Sequence, residues 1–177
     1  MTVHPPRDRS GDTPWVVVTG ASRGIGAATA RALHDIGLGV ILWARDRERL
    51  AALAETMEAR ERVRWTCVDI GCPEQVARAV ETTLPRGTRL AGIVLNAGSG
   101  RWQPFTNLAF EDWRKSLETN LSGAFLTLKA LLPFLDYASA PIVIGVLSDS
   151  ALTAFPNRAA YSSAKSGFQA LLGTFRR

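Results

Sequence analysis

The sequence has few of the features that define metal-binding, disulfide-bonded or membrane proteins. Only two of its 177 residues are cysteines. Cys67 and Cys72 have the spacing of neither a zinc site nor a redox pair, so we expect reduced structural thiols and no metal site. The longest apolar runs, such as Trp15–Val18, fall far short of the roughly 18–20 residues that span a bilayer. We therefore expect no membrane segment.

Charge of one sign is not concentrated anywhere in the chain. The formal net charge is +5. The arginines are mixed with acids, as in Arg45–Arg49 (RDRER), and this mixing is typical of a solvated helix face rather than a nucleic-acid-binding patch. We expect no nucleic-acid partner. The 46% hydrophobic and 21% charged residues indicate an ordinary folded domain.

The first 13 residues are polar, contain proline and lack an apolar core. This composition predicts a flexible N-terminal tail over residues 1–13 rather than a secretory signal. We place a single domain over residues 14–177 and expect a cytoplasmic location.

Past the tail, short β-rich segments alternate with amphipathic ones. The predicted strands are Trp15–Thr19, Gly39–Trp43, Val63–Val68, Ala91–Leu95 and Ile142–Leu147. The predicted helices are Ile25–Ile36, Arg47–Arg60, Glu74–Leu84 and Glu111–Leu132. Gly37 is expected just past a helix end and Pro73 at a helix start. The strands are nearly continuous in Val, Ile and Leu, which indicates parallel strands buried on both faces. The alternation predicts an α/β fold, a doubly wound parallel sheet with helices on both faces as in Rossmann-like domains.

A glycine-rich turn, Thr19–Gly26 (TGASRGIG), joins the first strand to the first helix. Gly20 allows a tight turn, Gly24 lets the backbone approach a pyrophosphate, and Gly26 lets the helix pack closely on the strand. The helix N-terminus then presents free N–H groups to phosphates. The segment lacks the Gly-Lys-Ser/Thr of a P-loop, so we expect a dinucleotide site and no nucleotide triphosphatase.

The end of the second strand bears on the choice of cofactor. NAD-binding folds commonly place an acid there for the ribose hydroxyls, but this strand ends in Ala44 and Arg45. Arg23 and Arg45 together suit a 2′-phosphate, which predicts NADP(H). Two alternatives stay open: both arginines are solvent-exposed side chains without a ligand, or Asp46 replaces the missing acid and selects NAD.

Tyr161 and Lys165 stand four residues apart in a helical segment, so the phenol and the ammonium share one helix face. Reduction of a ketone needs a proton donor for the developing alkoxide. A neighbouring ammonium favours the phenolate form of a tyrosine, which suits a tyrosine that exchanges a proton.

Together these segments resemble the short-chain dehydrogenase/reductase family from Trp15 onward. The matching motifs, in order, are the turn at residues 19–26, Asp69 and Ile70 after the third strand, Asn96-Ala97-Gly98 after the fourth, Asn120 on the long helix, and Ser148 thirteen residues before Tyr161. Leu95 departs from the family, where a second asparagine is common.

The resemblance implies four catalytic residues. Tyr161 exchanges the proton, Ser148 hydrogen-bonds the substrate oxygen, Lys165 holds the nicotinamide ribose, and Asn120 anchors a water. Ser150 and Ser163 are alternative hydroxyls at less fitting offsets. The implied cofactor-binding residues are Gly20, Ser22, Arg23, Gly24, Ile25, Gly26, Arg45, Asp69, Ile70, Asn96, Ala97, Gly98, Tyr161 and Lys165.

Members of this family usually continue with further strands beyond the position of Arg177. We therefore expect the family's last strands to be absent here, and a homo-oligomer in a full-length parent. Two functions are consistent with the sequence. One is a reductase similar to 3-oxoacyl-carrier-protein reductases, acting on a small carbonyl or alcohol substrate. The other is a truncated, non-catalytic nucleotide-binding or interaction protein.

Overall fold

The fold is a parallel sheet with helices on both faces, seen in a computed structural model that describes residues 13–137 and 140–175. Residues 1–12 of the expected tail lie outside the described residues. The strands are β1 Trp15–Thr19, β2 Gly39–Ala44, β3 Val63–Cys67, β4 Leu90–Leu95 and β5 Ile142–Gly145. The helices are α1 Gly24–Asp35, α2 Arg47–Glu55, α3 Pro73–Thr83, α4 Phe110–Leu117, α5 Gly123–Leu131 and α6 Ala159–Gly173. The strand order is β3-β2-β1-β4-β5, with every neighbouring pair parallel. The predicted doubly wound sheet is confirmed.

Apolar residues on the central strands fill a core on each face of the sheet. Val17 pairs in register with Ile41 and Ile93, and all three belong to one core cluster. Their neighbours Val18 and Leu42 belong to the other cluster, because successive side chains of a strand point to opposite faces.

Burial on both faces was predicted for all five strands, and it is wrong for two of them. β1 and β2 are completely buried, whereas β3 is half-buried and β5 is not buried at any position. The reason is position, since β3 and β5 form the two edges of the sheet. On β5, Ile142 and Ile144 are 63% and 50% exposed.

Three predicted elements end early or are interrupted. At each of these positions a side chain donates a hydrogen bond to a backbone carbonyl. α2 stops at Glu55 rather than Arg60, and the Thr56 hydroxyl donates to Leu53 O at 2.7 Å. β5 stops at Gly145 rather than Leu147. The helix predicted over 111–132 is divided into α4 and α5 by a π-helical turn, Glu118–Ser122.

Two glycine and proline predictions are confirmed. Gly37 follows α1 with φ of +100°, and Pro73 is the first residue of α3. Within the described ranges, no helix is long and apolar enough to cross a membrane.

Candidate functional site

The carboxyl ends of β1 and β4 lie side by side at the point where the strand order reverses, which is where ligands bind in open α/β sheets. The buried Thr19 hydroxyl ties these ends together. It accepts the backbone N–H groups of Asn96 and Ala97, each at 3.0 Å, and donates to Val94 O at 3.3 Å. The turn after β1 and the segment after β4 are therefore held as one unit.

The glycine-rich turn passes so close to the segment after β4 that side chains would not fit. Gly20 has φ of +65°, and a Cβ there would lie 2.8 Å from the Cα of Ala97. A Cβ on Gly26 would lie 2.4 Å from Gly20 O and 2.5 Å from the Asn96 Nδ2. That amide donates to Thr19 O at 2.9 Å. The tight turn predicted at Gly20 and the close packing predicted at Gly26 are thus both seen in the structure.

The N-terminus of α1 is open to a ligand. Its N-cap residue, Arg23, is extended and makes no side-chain capping bond, and the first turn contains no acid. A Cβ on Gly24 would meet no heavy atom within 4 Å. The first N–H groups of the helix and its positive dipole end therefore face free space, which is the arrangement that binds phosphate.

A cavity of about 590 Å³ lies in front of this helix and brings together eleven of the predicted residues. They are Gly20, Ser22, Arg23, Gly24, Ile25, Arg45, Asp69, Ile70, Asn96, Ala97 and Gly98. Ala44 and Asp46, considered above in the choice between NAD and NADP(H), also line the cavity, and sequence reasoning missed Trp43, Arg49, Val68 and Thr119. Arg49 could have been predicted from the sequence, because it is the third residue of a helix that begins just after Asp46. It therefore lies at the same end of the sheet as Asp46.

Arginine and aspartate side chains alternate at one end of the cavity. Arg45 lies 3.9 Å from Asp69 and its side chain is 67% exposed. Asp46 caps α2 by accepting Arg49 N at 3.1 Å, and its other oxygen lies 3.3 Å from Arg49 Nε. Both oxygens of Asp46 are thus engaged with α2 itself.

Lys165 lies near the middle of α6, on the same helix face as Tyr161. Its side chain is buried, and its Nζ donates to Val146 O at 2.8 Å. The Nζ lies 5.8 Å from the centre of the Tyr161 ring. Burial lowers the pKa of the Lys165 ammonium. This contact explains why β5 ends early, since the carbonyl after Gly145 turns towards the lysine instead of extending the strand.

Asn120 is buried in the π-helical turn and joins that turn to the segment after β4. Its Oδ1 accepts Ser99 N at 3.1 Å, and its Nδ2 donates to Ser99 O at 2.8 Å and to Ser116 O at 2.9 Å. A Cβ on Gly98 would lie 2.7 Å from that Oδ1 and 3.5 Å from Lys165 Nζ. The structure therefore brings Asn120, Gly98 and Lys165 together.

Ser148 follows β5 and caps a short 3-10 helix, Asp149–Ala151. Its Oγ accepts Ser150 N at 3.2 Å and donates to Asp149 Oδ1 at 2.8 Å. Of the alternative hydroxyls, Ser150 is buried and accepts from Arg158 at 3.1 Å, and Ser163 is exposed on α6. Among the three, Ser148 is the half-buried hydroxyl at the end of β5.

Aromatic rings complete the surroundings of Tyr161. Trp102 meets the Tyr161 ring edge to face, with centroids 5.2 Å apart. The guanidinium of Arg158 lies 4.5 Å from the Trp102 ring and 4.8 Å from the Phe155 ring. Gln103 N also donates to Asn157 O at 3.0 Å, so the segment that carries Trp102 is joined to the segment that precedes α6. Trp102 therefore contacts the tyrosine ring from outside the helix that carries it.

The chain is similar in sequence and fold to known proteins. The family model described as short chain dehydrogenase matches residues 14–177. A 3-oxoacyl-[acyl-carrier-protein] reductase of Synechocystis sp. is 32% identical over 85% of this chain and 62% of its own length. The solved alcohol dehydrogenase of the archaeon Thermococcus sibiricus, complexed with 5-hydroxy-NADP, superposes with a TM-score of 0.86 at 33% identity. That match covers 93% of this chain and 70% of the archaeal one.

A variant of the actinorhodin polyketide ketoreductase, solved with NADPH, matches with a TM-score of 0.80 at 26% identity. The match covers 90% of this chain and 62% of the ketoreductase. The chain spans 62% to 67% of the length of the curated relatives that it matches.

Proposed function

The chain belongs to the short-chain dehydrogenase family, and from this membership we propose that it is an NADP(H)-dependent oxidoreductase acting on a ketone or a secondary alcohol. The observation that carries the proposal is the cavity at the carboxyl ends of β1 and β4. It combines an uncapped helix N-terminus, glycines that admit close approach, and arginines at one end. Those are the features that a dinucleotide with an extra phosphate requires.

The residues that line the cavity can be assigned to successive parts of the cofactor, beginning with its phosphates. The N–H groups at the start of α1 bind the pyrophosphate, and the backbone after β4 packs beside it. Arg23 and Arg45 bind the 2′-phosphate through charge-assisted hydrogen bonds. Arg49, which lines the same cavity, supplies a third guanidinium. Asp46 supports NADP(H) over NAD, because Arg49 N and Arg49 Nε hold its carboxylate against the start of α2.

The catalytic half of the proposal rests on α6 and on the chain segments beside it. NADP(H), when bound, supplies or accepts the hydride. Tyr161 donates the proton to the carbonyl oxygen in reduction and accepts it in oxidation. The Nζ of Lys165 lies 5.8 Å from the centre of the tyrosine ring, so its positive charge stands beside the group that exchanges the proton. Ser148 binds the substrate oxygen. Asn120 fixes the segment at Ser99 and Gly98 and anchors a water beside Lys165.

Other members of the family support the same substrate class without defining it for this chain. The relatives that match include enzymes named for the reduction of a 3-oxoacyl thioester and for the oxidation of an alcohol. We propose a small-molecule carbonyl or alcohol substrate, bound on the side of the site where Trp102 faces Tyr161.

Fluorescence titration of the full-length protein with NADPH and with NADH tests the cofactor assignment. We expect tighter binding of NADPH. Arg45→Asp replaces a phosphate partner by a repelling carboxylate, so it should weaken NADPH binding by about tenfold or more and leave NADH binding almost unchanged.

The matched control is Arg47→Asp, two residues further along the chain at the first position of α2. Arg47 is exposed, lies over the Trp65 ring and does not line the cavity, so this variant should bind both cofactors as the wild type does. Equal affinity of the wild type for NADH and NADPH, or equal losses in the two variants, would refute the 2′-phosphate assignment.

A further inference from the structure

Asp149 stands directly after the proposed catalytic serine. We propose that Asp149 is a positioning residue that holds the Ser148 hydroxyl as a hydrogen-bond acceptor towards the substrate, so that the resting site suits an alcohol better than a ketone. This inference rests on the proposed function, since it concerns the serine that binds the substrate oxygen.

The hydrogen bonds of Ser148 carry the argument. A serine hydroxyl has one proton to donate and two lone pairs. The proton of Ser148 is directed to Asp149 Oδ1 at 2.8 Å, and one lone pair accepts Ser150 N at 3.2 Å. What remains for a ligand is a single lone pair, which binds a donor.

Several groups hold Asp149 in the position that captures this proton. Its Oδ1 accepts Ser150 N at 2.7 Å and lies 3.7 Å from the guanidinium of Arg158. The bond from Ser148 is the largest reason that the pKa of Asp149 is lowered, and Ser150 and Arg158 act in the same direction. Asp149 is therefore a carboxylate, and a strong acceptor, throughout the neutral range.

Arg158 is in turn fixed on the side of the site where Tyr161 lies. Its guanidinium is packed between the rings of Trp102 and Phe155 and donates to Ser150 Oγ. Because Trp102 also contacts Tyr161 edge to face, one arginine links the position of the carboxylate to the position of the tyrosine ring. The Ser148–Asp149 bond is thus part of a connected arrangement and not a lone surface contact.

An alcohol and a ketone require different hydrogen bonds from the Ser148 hydroxyl. An alcohol hydroxyl can donate to the free lone pair while Ser148 remains bonded to Asp149. A ketone oxygen only accepts, so it binds Ser148 only after the hydroxyl proton has turned away from the carboxylate. Asp149 therefore favours the alcohol in the ground state. Removing the carboxylate should favour the ketone.

Steady-state kinetics with cyclohexanone and cyclohexanol as the probe pair test this role in the full-length protein. In Asp149→Ala, the KM for cyclohexanone divided by the KM for cyclohexanol should fall roughly two- to fivefold, a modest change because the carboxylate is largely exposed. Asp149→Asn keeps an accepting oxygen and should give an intermediate ratio. Asp35→Ala, an exposed aspartate on α1, should leave the ratio unchanged.

An unchanged or increased ratio in Asp149→Ala, with turnover intact, would overturn the proposal. A second measurement does not depend on turnover: carboxyl-carbon NMR titration of Asp149. Ser148→Ala should raise the pKa of Asp149, whereas Ser163→Ala on the exposed side of α6 should not. No effect of Ser148→Ala would also overturn it. Failure of the wild type to turn over either probe would instead count against the proposed function, and the titration would still decide whether Ser148 donates to Asp149.

Discussion

At the scale of single residues, Lys165 meets two opposing requirements. It is a cation, yet only 3% of it is exposed, and the hydrogen bond that its Nζ donates is to Val146 O. A carbonyl does not neutralise the charge, so burial lowers the pKa of the ammonium below its ordinary value of 10.5. Burying the ammonium is unfavourable for folding. We therefore infer that Lys165 contributes its charge beside Tyr161 rather than stability.

This burial predicts how stability changes with pH. Where the pH lies between the folded pKa of Lys165 and the unfolded value of 10.5, the unfolded chain binds a proton that the folded chain does not. The contribution of Lys165 to the free energy of unfolding therefore rises with pH through this window. In chemical denaturation from about pH 8 to about pH 10, the wild type should gain stability relative to Lys165→Met. Parallel pH curves for the two proteins would contradict a depressed pKa.

At the scale of elements, the ends of β1 and β4 depend on one hydroxyl. Thr19 is fully buried and satisfies two backbone N–H groups, those of Asn96 and Ala97. Because Thr19 itself is buried and bonded on both sides, we expect the hydroxyl to matter more than the size of the side chain.

Thr19→Val keeps the shape of the side chain and removes the hydroxyl. It should lower the free energy of unfolding by about 1–3 kcal/mol, because Ala97 N loses its acceptor and Asn96 N keeps only its bond to Val94 O at 3.2 Å. Thr19→Ser is the matched control, which keeps the hydroxyl and loses one buried methyl, worth about 1 kcal/mol. Thermal or urea unfolding compares them; a Thr19→Val protein as stable as Thr19→Ser would mean that these hydrogen bonds contribute little.

The elements also show what the sequence could predict. The sheet, its crossovers and the turn at residues 19–26 follow from local periodicity and glycine placement, and all were predicted. The spacing of Tyr161 and Lys165 is local in the same sense. The π-helical turn at Asn120 was not predicted, because it depends on contacts with Ser99, which is 21 residues away.

The same limit applies to the early end of β5 and to the exposure of the edge strands. Val146 has a suitable residue type for a strand, but its carbonyl is taken by Lys165, 19 residues later. β5 has the composition of an interior strand, and only the strand order shows that it is an edge. In β3, Arg64 and Thr66 already interrupt the apolar run. The place of Arg49 in the cavity, by contrast, follows from the start of α2 at Arg47, which the sequence predicted.

At the scale of the whole molecule, the candidate site residues gather at one end of the parallel sheet. The glycine-rich turn, the arginines and the cavity lie beyond the carboxyl ends of β1 and β2. Ser148 follows β5, and Lys165 donates to the carbonyl of Val146, the residue after the end of β5. The cofactor and the substrate oxygen would therefore approach from the same side of the sheet. This arrangement is the basis of the central claim, that α6 provides the proton for a hydride transfer supported by the cavity.

Ketone reduction by the wild type and by Tyr161→Phe, with NADPH affinity measured on both proteins, tests that claim most directly. With cyclohexanone as the ketone, we expect the wild type to oxidise NADPH. Tyr161→Phe should bind NADPH with nearly unchanged affinity and lose turnover by about a hundredfold or more, because only the proton donor is removed. Wild-type turnover in Tyr161→Phe, or no oxidation of NADPH by the wild type with any ketone, would contradict the account.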